Sequence, residues 1–74
     1  MTKTTEALDD IMLLLKWGNI SKDYFGFSRA WIYQRLNGYD GNGKESDFTP
    51  EQTETLKSAL HDIARRIDEA ADKL

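Results

Sequence analysis

Gly26-Phe27-Ser28-Arg29-Ala30-Trp31-Ile32-Tyr33-Gln34-Arg35-Leu36-Asn37-Gly38 carries its own start and stop signals. Ser28 can accept a hydrogen bond from the free N–H groups of a first helical turn, which makes it an N-cap. Phe27 just before the cap and Ile32 four residues after it have the spacing of a hydrophobic staple. Gly38, after Asn37, suits the left-handed residue that closes many helices. A helix over 29–37 follows. The preceding residues repeat the device: Ser21 can cap residues 22–25, Ile20 and Phe25 have the staple spacing, and Gly26 breaks the chain. Helix, glycine turn and second helix is the order of a helix-turn-helix.

Gly26-Phe27-Ser28-Arg29, then Ile32, then Asn37-Gly38, resembles the turn and recognition helix of the phage-repressor helix-turn-helix family. A wider run is similar to a family of short proteins of unknown function from gut anaerobes. That run is Tyr24-Phe25-Gly26, Ser28, Trp31 to Gly38, Gly43-Lys44 and Phe48-Thr49, and the similarity spans about residues 20–63. The first resemblance implies DNA binding; the second implies no activity.

A chain of 74 residues makes one domain and buries only about 60% of the surface its unfolded form exposes. It has no cysteine, which excludes disulfides and thiolate metal sites. It has neither an apolar run long enough for a membrane span nor a leader pattern, so the expectation is a cytoplasmic protein. The formal net charge of −3 argues against indiscriminate nucleic-acid binding. That charge is uneven: −2 over residues 1–15, +3 over 16–44 and −4 over 45–74. The basic part is the helix-turn-helix part, and all eight aromatics lie between Trp17 and Phe48. The asymmetry points to a binding face in the middle of the chain.

Before that middle, Leu8, Ile11, Met12 and Leu15 recur at spacings of three and four, and Leu13 and Leu14 widen the stripe. The expectation is a helix over 5–17, ended by Gly18. After it, residues 38–48 read as a loop or small hairpin, because Asp40-Gly41 and Asn42-Gly43 are turn signals. A calcium loop fails on register: counted from Asp40, the position that needs glycine holds Glu45. The remaining role for the segment is connection, or a wing that touches phosphate through Lys44.

The last helix opens with Thr49 as cap, Pro50 at the first position and Gln52 closing a capping box. Leu56, Leu60, Ile63, Ile67, Ala70 and Leu74 then alternate spacings of four and three, broadened by Ala59, Ala64 and Ala71. Run from 50 to 73, such a helix is about 36 Å long at 1.5 Å per residue. A compact domain of this size has a radius of gyration of about 11 Å. The helix therefore overhangs its domain. Ile63, Ile67, Ala70, Ala71 and Leu74 become a candidate dimer interface with heptad spacing. The same pattern also fits the inward face of a bundle helix folded back on the first.

No catalytic constellation emerges. His61 stands alone mid-helix, Ser28 is explained as a cap, and the pairs Asp9-Asp10 and Asp68-Glu69 are neighbours that do not face each other on a helix. No enzyme activity and no cofactor or metal is implied. Nucleic-acid binding has a residue set. Residues at the start of the second helix of a helix-turn-helix reach base edges. Arg29 can pair with guanine and Gln34 with adenine. Ala30 and Tyr33 share that side, Ser28 opens the helix, and Lys22 suits a backbone phosphate. The sequence thus predicts an all-α domain of four helices, with a divergent helix-turn-helix over 21–38 and a long C-terminal helix. Double-stranded DNA is the expected partner and a homodimer through the last helix the expected assembly. The competing expectation is a helical module that binds a protein through Trp31, Tyr33, Tyr39 and the last helix, since aromatics and arginine are enriched at such hot spots.

Overall fold

A computed structural model of the chain describes residues 3–38 and 47–74. It is all-helical, with α1 at Lys3–Leu8, α2 at Trp17–Ile20, α3 at Arg29–Asn37 and α4 at Pro50–Asp72. A tight 3-10 turn, Asp9–Ile11, follows α1, and a π-wound turn, Ser21–Phe25, continues α2 without a break. No strand occurs among the described residues.

Local signals account for both ends of α3 and the start of α4. Ser28 is extended (φ −74°, ψ 162°) and its Oγ accepts the Trp31 N–H. Gly38 adopts φ 82°, a conformation that favours glycine, and its N–H bonds the carbonyls of Gln34 and Arg35. At the head of α4, the Thr49 Oγ1 accepts from Gln52 N at 3.1 Å while the Gln52 side chain accepts from Thr49 N at 2.9 Å. This reciprocal pair satisfies two otherwise orphaned donors.

The first half of the chain departs from the sequence expectation. A helix over 5–17 is replaced by α1, the 3-10 turn and an irregular stretch to Lys16, which leaves helical space at φ −92°, ψ 89°. The burial of Trp17 accompanies the break. Trp17 is buried in the core, and its indole N–H donates 2.7 Å to the Met12 carbonyl. A carbonyl held sideways in this way is withdrawn from a helical ladder. Leu13 and Leu14, which widen the apolar stripe in the sequence, are instead 97% and 76% exposed.

The expected short helix 22–25 with Ser21 as cap is also corrected. Gly18 does not end a helix but lies inside α2, which runs from Trp17 through the π turn to Phe25. Ser21 is helical (φ −58°, ψ −45°) and wholly buried, and its Oγ donates 2.6 Å to the Ser28 carbonyl. The side chain thus staples the two helices across the turn. Within that turn Gly26 takes φ 72°, and the Ser21 carbonyl accepts from both Gly26 and Phe27.

The core gathers Leu8, Trp17, Ile20, Ile32, Leu36, Phe48 and Leu56. Trp31 fills the gap between α2, α3 and the start of α4. Its ring centroid lies 4.9 Å from Phe25, 4.6 Å from Phe27 and, edge-on, 5.8 Å from Phe48. Arg35 covers another side of Trp31, 5.6 Å from the ring centroid. Phe27 thus packs at a tilt against Trp31 at the helix start.

α4 spans 23 residues, about 35 Å. It reaches the core as far as Ile63, through Leu56, Ala59, Leu60 and Ile63. From Ala64 to Leu74 every residue is exposed. The radius of gyration is 13.1 Å and the longest dimension 45 Å, so the fold is drawn out along this helix. A second tie holds α4 to α2. Tyr24 OH donates to Asp62 Oδ2 at 2.5 Å and accepts from Arg66 at 3.2 Å.

Candidate nucleic-acid interface

The α2–turn–α3 unit decides which side chains of the middle segment reach solvent together. Ile32 and Leu36 turn the inner face of α3 to the core. Arg29, Ala30, Tyr33 and Asn37 are exposed, and Gln34 is half-buried. Lys22 is exposed on the π turn of α2.

Where the start of α3 crosses α2, a polar cleft of about 370 Å³ opens. Its walls are Leu15, Lys16, Gly18, Asn19, Lys22, Arg29 and Tyr33. Among the described residues, three cations converge there and no carboxylate is among the walls. The Arg29 guanidinium lies 5.5 Å from the centroid of the Tyr33 ring, a cation–π contact. The Arg29 stem lies against Gly18: a Cβ on residue 18 would come within 2.9 Å of Arg29 Cγ. Glycine at 18 therefore lets α3 bring Arg29 flat onto α2. Convergent cations with hydrogen-bonding Asn19 and an aromatic face suit a phosphate oxygen at the mouth of the cleft.

Of the residues singled out from the sequence, Lys22, Arg29 and Tyr33 meet in this cleft. Ala30 and Gln34 lie on α3 outside it, and Ser28 sits at its start with its Oγ engaged as the cap. Lys44, like Tyr39, lies outside the described residues. Lys16, Gly18 and Asn19 are cleft residues that sequence reasoning missed. Their signal is weak: Asn19 and Lys22 are three apart, but Lys16 and Gly18 join them only once α2 is seen to begin at Trp17.

A second groove of about 410 Å³, which shares Leu15, Lys16 and Asn19 with the cleft, separates α2 from the outer half of α4. Its apolar walls are Leu15, Ile20, Ile63, Ile67 and Ala70, and Lys16, Asn19, Asp23, Tyr24 and Arg66 also line it. Three of the five residues expected at a dimer interface, Ile63, Ile67 and Ala70, thus line a groove with α2. Ala71 and Leu74 are exposed on the helix beyond. Beside the groove, the hydrogen bond from Tyr24 and the pairing with Arg65 hold the Asp62 carboxyl below its usual pKa.

No helix among the described residues is long and apolar enough to cross a membrane. No curated protein and no solved structure matches the chain. A family model described as a domain of unknown function, DUF5053, matches residues 4–74, and the chain belongs to that family.

Proposed function

We propose that the chain is a small DNA-binding regulator, with α3 as the recognition helix and the cleft beside it as a seat for backbone phosphate. One observation carries the reading: Lys16, Lys22 and Arg29 converge at the first turn of α3 with no carboxylate among the described residues of the walls. In a chain whose net charge is −3, three cations grouped without an acid among the described residues are a local reversal of sign. They stand where a helix-turn-helix meets its duplex, with the start of the second helix toward the groove and the first helix toward the backbone. Arg29 and Gln34 supply the donors for base edges, Lys16 and Lys22 the phosphate contacts, and Ala30 leaves room for the groove wall.

The test is an anisotropy titration against mixed-sequence duplex DNA over a range of salt. Two to three phosphate contacts give a slope of log affinity against log salt of about −2 to −3. Lys16→Ala should flatten that slope by about one and weaken all duplexes alike. Arg29→Ala with Gln34→Ala should weaken binding and reduce any preference among duplexes. No binding at low salt by the folded protein would refute the reading.

A helical module for a protein partner is the second reading, favoured by the wholly exposed stretch 64–74, which includes Ile67, Ala71 and Leu74. The aromatic surface supports it less. Trp31 is half-buried among Phe25, Phe27 and Phe48, and Tyr33, two residues on, points away from it.

A further inference from the structure

Two features of the apolar surface have no use in the chain itself. Leu13 and Leu14 stand 97% and 76% exposed at the turn between α1 and α2. The groove between α2 and the outer half of α4 has five apolar wall residues, and neither leucine is one of them. Ile67, on that groove, is 57% exposed. The knob and the groove are neighbours, since Leu15, a groove wall, directly follows Leu14.

We infer that this groove receives the Leu13–Leu14 turn of a second copy of the chain, and that two copies close a two-fold dimer by exchanging these turns. Self-complementarity favours a second copy. One patch that carries both a protruding element and a recess closes on its own image about a two-fold axis, each knob filling the other recess. Charge points the same way. Asp9 and Asp10, both exposed, precede the knob, whereas the described walls of the groove carry Lys16 and Arg66 with the acid Asp23, and Asp62 beside them is already paired with Tyr24 and Arg65. The acidic approach of one copy thus meets the cationic rim of the other. The contact differs from a bare seam of two α4 helices, because Ile63, Ile67 and Ala70 line the groove together with α2 residues. An isolated chain of this size also buries too little apolar surface for ample stability, so covering the exposed leucines and the groove favours the assembled state.

Sedimentation equilibrium of the full chain without DNA, from about 1 to 300 µM, tests the inference independently of duplex binding. Wild type should be dimeric in the upper part of that range. Leu14→Asp and Ile67→Asp should each raise the dimer dissociation constant at least tenfold, with far-UV circular dichroism unchanged because both side chains are exposed. If Ile67→Asp loses helicity, the pair Leu13→Ser with Leu14→Ser, on an irregular turn, gives the same reading from the knob side. Ala71→Asp, which lies off the groove, should leave the dimer intact. A wild type that stays monomeric throughout overturns the inference. So does a dimer insensitive to Leu14→Asp, and one broken only by Ala71→Asp would place the contact along α4 instead.

Discussion

The Arg29 side chain crosses Gly18 so closely that a Cβ on residue 18 would lie 2.9 Å from Arg29 Cγ and 3.1 Å from Cδ. Gly18 has no positive φ to protect, so its value at this position is the space it leaves. Gly18→Ala separates function from stability. Alanine favours the helix by roughly 0.8–1 kcal/mol over glycine, and the close atoms are the stem of an exposed arginine, which clears the methyl by turning about χ1 and so carries its whole side chain away. The melting temperature should hold or rise by a few degrees. Arg29 would then leave Tyr33 and the cleft, and duplex affinity should fall about fivefold, the equivalent of roughly 1 kcal/mol. A variant that melts much earlier than wild type would show that α2 and α3 had moved apart instead.

Ser21 predicts the opposite split. Its hydroxyl is wholly buried and donates 2.6 Å to the Ser28 carbonyl, directly across the helix–turn–helix bend. Ser21→Ala leaves that carbonyl without its donor, at a cost of about 1–3 kcal/mol. Ser28→Ala, which removes the cap accepting from Trp31, should cost about 1 kcal/mol. Urea midpoints at constant slope would rank the two. A Ser21→Ala variant as stable as wild type would mean the turn is held by its backbone bonds alone.

The elements legible in the sequence were those specified by neighbours. Ser28 and Gly38 mark α3, and Thr49, Pro50 and Gln52 mark the start of α4, because caps are made within a few residues of the group they satisfy. The break after Leu8 was not legible. Its apolar spacing continues through Leu15, and only the Trp17 indole reaching the Met12 carbonyl shows that the spacing serves a turn. Ser21 misled for the same reason: a serine before Lys22 looks like a cap until its hydroxyl is seen spent on Ser28. The site inherited both outcomes. Lys22, Arg29 and Tyr33 were found from α3 outward, whereas Lys16 and Asn19 join their stripe only once α2 is known to begin at Trp17.

The Tyr24–Asp62–Arg66 tie gives a pH signature. The hydrogen bond from Tyr24, then the one from Arg65, lower the Asp62 pKa below 3.8 in the folded chain. A depressed carboxyl stabilises the fold above its unfolded pKa, and that contribution is lost as pH falls through the folded value. Stability should therefore drop as the pH goes below about 4. Tyr24→Phe removes the largest cause of the shift, so its stability curve should be flatter over the same acid range while the two proteins share their helical signal at neutral pH. Parallel curves for wild type and Tyr24→Phe below pH 4 would show that the tie contributes nothing in solution.

Trp17→Phe tests what ends the first helical segment. The indole N–H is the donor to Met12, and the ring is part of the core. Phenylalanine keeps an aromatic ring, removes the donor and leaves the Met12 carbonyl unpaired, which should cost about 1–3 kcal/mol. The local consequence is more diagnostic than the loss. With the carbonyl released, residues 12–16 are free to pair back along the chain, where Ile11, Met12 and Leu15 already have helical spacing. Far-UV circular dichroism at low temperature should then show added helix, and amide exchange over 12–16 should slow. If exchange there instead quickens and helicity is unchanged, the break is set by Lys16 and the packing of α2, and the indole bond only reports it. Because the Leu13–Leu14 knob stands on this turn, either rearrangement should also weaken self-association, which sedimentation of the same variant would read directly.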